Sequence, residues 1–256
     1  MWILVVQFSM LGLVSCDKES DKPLSLDQIE SNATKLYYGS KGGVTITGGD
    51  GNYSFSCESP LLKAEMTYSN YILFEPLGVG EATVTIKDSS GDSYILKVTI
   101  AYKTEKIVVS KLDATVVGDN MTVGNQKELK EKALATIPVK VGGGYKFVYT
   151  EGEKLAETKG TVFIYPDKYG NSGLEGTFER AAVKDKNGNY SYMTYTLHYN
   201  AVNRIFILME YSESTAKSSQ YRAIQFAEDI KEQYKMAYPN VEQVYTSQVI
   251  GSLAVE

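Results

Sequence analysis

The sequence predicts a mainly β protein: a β-sandwich followed by an α+β domain whose antiparallel sheet is covered by a C-terminal helix. Three observations carry this reading. Short runs of alternating apolar and polar residues, punctuated by Gly, Asn and Asp, occupy residues 23–104 with almost no helical periodicity. Similar runs recur through much of residues 105–256. Near the C-terminus one stretch changes to the 3.6-residue period of an amphipathic helix.

Taken in order, the chain opens on an apolar run from Trp2 to Val14. It is too short to cross a bilayer core of roughly 30 Å, which takes about 20 helical residues. It has the length of a signal-peptide apolar region, and it ends in small residues and a cysteine. Leu13-Val14-Ser15-Cys16 resembles the lipobox of bacterial lipoproteins, with Leu three positions before the Cys and a small residue just before it. The resemblance implies a signal peptide over 1–15 and a diacylglycerol thioether on Cys16, with an acylated amino group after cleavage. One acyl chain holds a protein only marginally, whereas two or more anchor it stably. Residues 16–22 follow as a polar tether. Asp17 to Lys22 is similar to the acidic signal that sends Bacteroidetes-type lipoproteins to the outer face, although its charges alternate.

Within residues 23–104, Val44-Thr45-Ile46-Thr47 alternates, turns through Gly48 to Asn52, and alternates again over Tyr53 to Cys57. Gly and Asn supply the positive φ of such turns. Tyr71 to Pro76, Glu81 to Ile86 and Tyr94 to Tyr102 are further strands, the last two joined by the tight turn Asp88 to Asp92. Ile46 to Tyr53, Gly80-Glu81-Ala82-Thr83-Val84-Thr85-Ile86 and Asp88-Ser89-Ser90-Gly91 together resemble bacterial immunoglobulin-like domains of the invasin and intimin type. That resemblance implies an Ig-like sandwich serving as a spacer or adhesive module. Such a fold leaves the ligand open, because function sits in grafted loops.

Residues 105–256 read as a second domain. Asp113 to Val117 is a strand candidate, and Asn125-Gln126-Lys127-Glu128 has the form of a capping box opening a helix to about Ala135. Tyr145, Phe147 and Tyr149 share one strand face, and so do Val162 and Ile164. Met193, Tyr195, Leu197 and Tyr199 line another face; Ile205, Ile207 and Met209 line the next. Turns at Lys186 to Asn189 and Tyr199 to Asn203 imply an antiparallel meander. Ala223, Phe226, Ala227, Ile230, Tyr234, Ala237 and Tyr238 fall on one helical arc, ended by Pro239. Val241 to Ile250 is expected to add a strand.

Composition excludes several function classes. A hydrophobic share of 43% and a charged share of 22% are those of a globular chain. The net charge of −5 and the lack of any basic cluster exclude nucleic acid as the expected partner. Of two cysteines, lipidation of Cys16 leaves Cys57 without an intramolecular partner, reading as a small hydrophobe on a strand. His198, the single histidine, has no second His or nearby Cys with which to build a zinc set. Asp185 to Asn189 spaces its oxygens like a calcium loop, but the position of the bidentate Glu is taken by Thr196; this stretch and Asp167 to Asn171 read as β-turns. Gly142-Gly143-Gly144 leads into a strand, so it lacks the helix N-terminus that binds phosphate.

No catalytic, cofactor or metal residue is assigned on this reading, and Cys16 is the one site residue. The expectation is a membrane-anchored lipoprotein of the cell envelope, in the outer membrane, with an Ig-like spacer presenting a non-catalytic C-terminal binding domain. Its ligand is expected to be a glycan or an envelope protein, met through some of the twenty tyrosines. The alternative is a glycoside-type hydrolase in residues 105–256, which requires two carboxylates about 5–9.5 Å apart.

Overall fold

A computed structural model describes residues 22–29, 31–152, 157–211 and 223–255. The fold is mainly β. The described residues form two compact units: one comprises those up to Thr34, Gly42–Glu75 and Glu81–Thr99, and the other Lys35–Lys41, Pro76–Gly80 and those from Ile100 onward.

Eight strands in the first part of the chain make two four-stranded sheets. One has the order β1 (Ser25–Leu26), β3 (Gly42–Thr47), β6 (Tyr71–Pro76), β5 (Leu62–Tyr68); the other runs β2 (Ala33–Tyr37), β8 (Ser93–Ala101), β7 (Gly80–Asp88), β4 (Tyr53–Cys57). Each sheet has one apolar face out of water, through Val44, Ile46, Ile72 and Phe74 in the first and Val84, Ile86, Leu96 and Val98 in the second. The Gly48–Asn52 turn is a crossing between sheets, because β3 pairs with β6 while β4 pairs with β7. Gly48, Gly49 and Gly51 take the positive φ that this crossing requires.

The second unit is a closed antiparallel barrel of eight strands. In order round the barrel they are β9 (Thr104–Gly118), β10 (Gly144–Val148), β11 (Glu157–Tyr165), β12 (Leu174–Lys184), β13 (Tyr190–Tyr199), β14 (Val202–Tyr211), β15 (Ala223–Asp229) and β16 (Val241–Val255), which returns to β9. Thr104, Val148, Thr161, Thr177, His198 and Asn203 form one unbroken row of cross-strand partners. That row enters at the first residue of β9 and leaves beside the β13–β14 hairpin at the other end, so the strands tilt steeply to the barrel axis, as closure requires. The β13–β14 hairpin is a two-residue loop with positive φ at both Asn200 and Ala201, the turn whose twist matches the flanking strands.

Alternation along each strand separates an inward row from an outward one. Tyr145, Phe147 and Tyr149 point inward, as do Val162 and Ile164, and Tyr195 and Leu197. On β14 the expected face is reversed: Ile205 and Met209 are exposed, and the row holding Arg204, Phe206 and Leu208 faces the interior. Helix α1 (Val123–Ala135) is capped by Thr122, whose hydroxyl accepts from the Asn125 N–H at 3.2 Å. The cap expected at Asn125 therefore lies inside the first turn.

Two expectations are corrected. The sheet is not an open one covered by a helix but closes on itself, which removes its edges. The C-terminal helix is absent: Ala223–Asp229 is strand β15, followed only by the four-residue helix α2 (Lys231–Tyr234) and turns. Phe226 and Glu228 face the interior while Ala227, between them, is also buried, so three neighbours are apolar or buried for different reasons and mimic a helical arc. The tail expected as a strand is β16.

Candidate functional site

The barrel interior is the place where this fold concentrates chemistry. Its middle is filled by aromatic rings. Phe147 meets Phe178 edge-on at 5.0 Å between centroids and Tyr195 at 5.1 Å, and Tyr195 meets Phe226 at 5.1 Å. Gly160 makes room for this packing: a Cβ there would lie 2.1 Å from the Val148 carbonyl oxygen and 2.8 Å from the Phe178 ring.

Toward one end, α1 packs Leu129 and Ala133 against Ala114 and Val244, which prolong the inward rows of β9 and β16. Arg204 closes that end with charge. Its Nε donates to Glu228 at 3.0 and 3.1 Å, Nη2 reaches the same carboxylate, and Nη1 donates to the Thr136 carbonyl at the end of α1 at 2.6 Å. Burial alone would favour losing the guanidinium proton, but the Glu228 carboxylate outweighs it and raises the Arg204 pKa. Nearby, the buried Tyr145 hydroxyl donates to Gln248 Oε1 at 2.7 Å.

The opposite end carries a different set. Glu105, on the first turn of the pleat of β9, accepts from the Tyr149 hydroxyl at 2.5 Å and pairs with Lys103 at 3.1 Å. Arg180 of β12 donates from Nη1 to the Tyr149 oxygen at 3.3 Å and lies over the same ring at 5.1 Å. Tyr195 lies beside both Tyr149 and Arg180. Burial is the main cause that raises the pKa of Tyr149 and Tyr195, so both hydroxyls stay protonated across the physiological range. The cluster thus holds one carboxylate between two cations, nearly out of water. The adjoining wall is apolar. Met193 pairs with Leu208, Ile224 follows Phe226 in the inward row of β15, and Leu253 stands opposite the inward Ile107. Ile224 and Leu253 are 36% and 51% exposed, although Phe226 and Ile107 in the same rows are buried.

No model of a known protein family matches this chain, and no curated protein matches it in sequence.

Cys16 lies outside the described residues, as do residues 1–15, expected as a signal peptide, and all but Lys22 of residues 16–22, expected as a tether. Among the described residues Cys57 is a free, half-buried thiol whose Sγ is 3.6 Å from the Leu62 carbonyl oxygen. His198 faces outward, its Nδ1 2.7 Å from Asn203 Oδ1. Asp185 is a turn former: its Oδ1 accepts from the N–H groups of Asn187 and Asn189, which lowers its pKa. Asp167 pairs with Lys140 at 2.6 Å. Among the described residues no group of three or more His, Cys, Asp or Glu is placed to hold a metal, and no helix is long and apolar enough to cross a membrane. Among the described residues, Glu105 and Glu228 are buried acids of the barrel; they sit toward opposite ends and are held by different cations, so these two do not face each other as a hydrolytic pair.

Sequence patterning found the inward tyrosines but not the charges among them. Lys103, Glu105, Arg180, Arg204 and Glu228 carry no apolar signature in a linear scan. The signal that could have found them is their parity: Glu105 precedes Ile107 and Val109 by even steps, and Arg180 follows Phe178 by two.

Proposed function

We propose that this protein is a lipid-anchored lipoprotein of the cell envelope that binds rather than catalyses. In this reading Cys16 carries the acyl anchor, the two N-terminal sheets form an Ig-like sandwich that acts as a spacer, and the barrel is the binding part. The single observation that carries it is the charged cluster of Lys103, Glu105, Tyr149 and Arg180 set beside inward-facing, half-exposed apolar residues at the barrel end away from α1. Eight strands is the size at which a barrel is either filled by side chains or holds one small ligand. Here the middle is filled and the end is not made of core residues alone. The apolar face of each N-terminal sheet and the tight Asp88–Asp92 turn support the sandwich reading.

Two measurements test it. Labelled palmitate should enter the wild-type chain and not Cys16→Ala, and only the wild type should partition into detergent; equal behaviour of the two would refute the anchor. Saturable binding of a glycan, an envelope protein or a small ligand to full-length Cys16→Ala, lost on altering the barrel cluster and kept on altering the N-terminal sheets, is expected. Binding that follows the N-terminal sheets instead would overturn the assignment of the barrel.

A further inference from the structure

Strand β9 outruns its neighbour β10, and there the closed ring leaves a length of bare edge. β10 pairs with β9 only over residues 104–108, and the last bonds on that side join Val109 to Gly142 and Gly143. On its other side β9 is accompanied by β16 as far as Gly118. Ile107 and Val109 turn their side chains inward; past the register shift at Ser110, Leu112, Ala114 and Val116 do the same. Side chains and amide groups alternate together along a strand. Leu112, Ala114 and Val116 therefore aim their N–H and C=O groups as Val109 does, toward the side where no strand follows. Among the described residues no backbone group meets them there.

We propose that this edge takes up an extended segment of a partner protein as an added strand, one carrying an acidic side chain two residues from an apolar one. The surface lies beside α1 and is separate from the ligand sought at the opposite end of the barrel.

The main chain supplies the first half of the recognition. A bare edge next to a helix pairs with an extended peptide, and the helix flank selects among its side chains. The Ala114 N–H is at present met by Asp113 Oδ1 at 2.8 Å, an oxygen placed on the side where the carbonyl of an added strand belongs. Strand addition exchanges that oxygen for a peptide carbonyl, and Asp113 keeps Lys130.

The helix supplies the second half. Ala114 and Val116 line one wall of a groove of about 430 Å³, and Val123, Lys127 and Lys130 of α1 line the other. Lys130 Nζ lies 2.9 Å from Asp113, and residues 119–122 join Gly118 to Val123, so α1 runs back along the edge. Val123 and Lys127 are separated by about 6 Å of helix rise, close to the roughly 6.8 Å between alternate residues of a strand. Val123 is 82% exposed and offers an apolar contact. Lys130 has Asp113, whereas Lys127 has no ion-pair partner among the described residues. Neither Glu128 nor Glu131 lines the groove. An entering strand thus meets apolar surface and, two residues on, an unmatched positive charge. A second copy of this chain fits less well: two-fold pairing of the edges sets one lysine flank against the other, and like charges oppose it.

The test titrates full-length Cys16→Ala by calorimetry with the blocked peptide acetyl-Thr-Val-Thr-Glu-Thr-Val-Thr-amide, whose Val and Glu share one face. One-to-one saturation is expected, with slowed amide exchange at Leu112 and Val116. Replacing the peptide's Glu by Gln should weaken binding about threefold, the effect of one exposed ion pair. Lys127→Gln, an exposed change that leaves the melting temperature unaltered, should bring the two peptides level. Of two peptides N-methylated at alternate residues, one in each phase, one should lose binding and the other keep it, because only alternate amides face β9. Equal affinity of the Glu and Gln peptides for the wild-type edge, a preference that survives Lys127→Gln, or binding by both N-methylated peptides overturns the proposal. So does a lack of binding by a chain that sediments as a monomer. A dimer that protects Leu112 and Val116 without peptide makes a second copy the occupant, and the proposal falls.

Discussion

Arg204 and Glu228 show at the residue scale why interior charge is hard to read from a linear pattern. Neither has an apolar signature, and the partner that justifies each lies 24 residues away. Arg204→Met alone leaves the Glu228 carboxylate buried without its cation, and a loss of about 3–5 kcal/mol in urea unfolding is expected. Arg204→Met combined with Glu228→Leu should cost much less than either single change, because no stranded charge remains. In contrast, Tyr145, Phe147 and Tyr149 were legible, since three aromatics at alternate positions state both strand and face. Phe147→Ala should cost about 3–5 kcal/mol by opening a void among Phe178, Tyr195 and Phe226. A stabilising change is available at Ala201, whose φ of 58° carries a Cβ penalty; Ala201→Gly should raise stability by about 1 kcal/mol.

Elements were legible where a single period governed them. The strands now numbered β3, β4, β6, β7, β8, β10, β11 and β13 follow from alternation and turn residues. Those numbered β1, β2, β5 and β12 were not identified, being short or lacking a continuous apolar row. Strand β15 was misread because burial reached both of its faces. Helix α1 was found, but its start was misplaced by a competing Asn three residues beyond the true cap. Its attachment to the barrel can be tested by pH. Lys130 of α1 pairs with Asp113 of β9 at 2.9 Å, and the Ala114 N–H donates to the same carboxylate. Burial works against the charge of Asp113, but those donors outweigh it and lower its pKa. A depressed folded pKa gives stability that is fully present above the unfolded value near 3.9 and is lost as pH falls through the folded value. Stability of the wild type relative to Asp113→Asn should therefore be constant at neutral pH and shrink below about pH 4. A difference that grows on acidification would contradict the pairing.

For the whole molecule, closure was the feature that sequence could not supply. A meander of antiparallel strands is compatible with an open sheet or a barrel, and the choice is made by β9 meeting β16. Ser110 donates to the Val249 carbonyl across 139 positions of sequence. Contacts of that separation make folding slow, and refolding of the barrel in the millisecond-to-second range is expected by stopped-flow. Faster, microsecond folding would argue against a seam formed by distant strands. The two ends of the barrel also differ in chemistry: α1 and the Arg204–Glu228 pair occupy one, and Lys103, Glu105 and Arg180 the other.

That seam has a consequence for biogenesis. Of the sixteen strands among the described residues, the one that completes the ring follows the other fifteen in sequence, so a growing polypeptide holds an unsatisfied ladder on both β9 and its newest barrel strand until β16 has emerged. Each such ladder is a template for joining another unfinished copy. A truncation that removes Val241–Val255 should accordingly precipitate rather than persist as a smaller soluble sheet, and a helper that shields bare strands would matter most to this protein before its final hydrogen bonds are made.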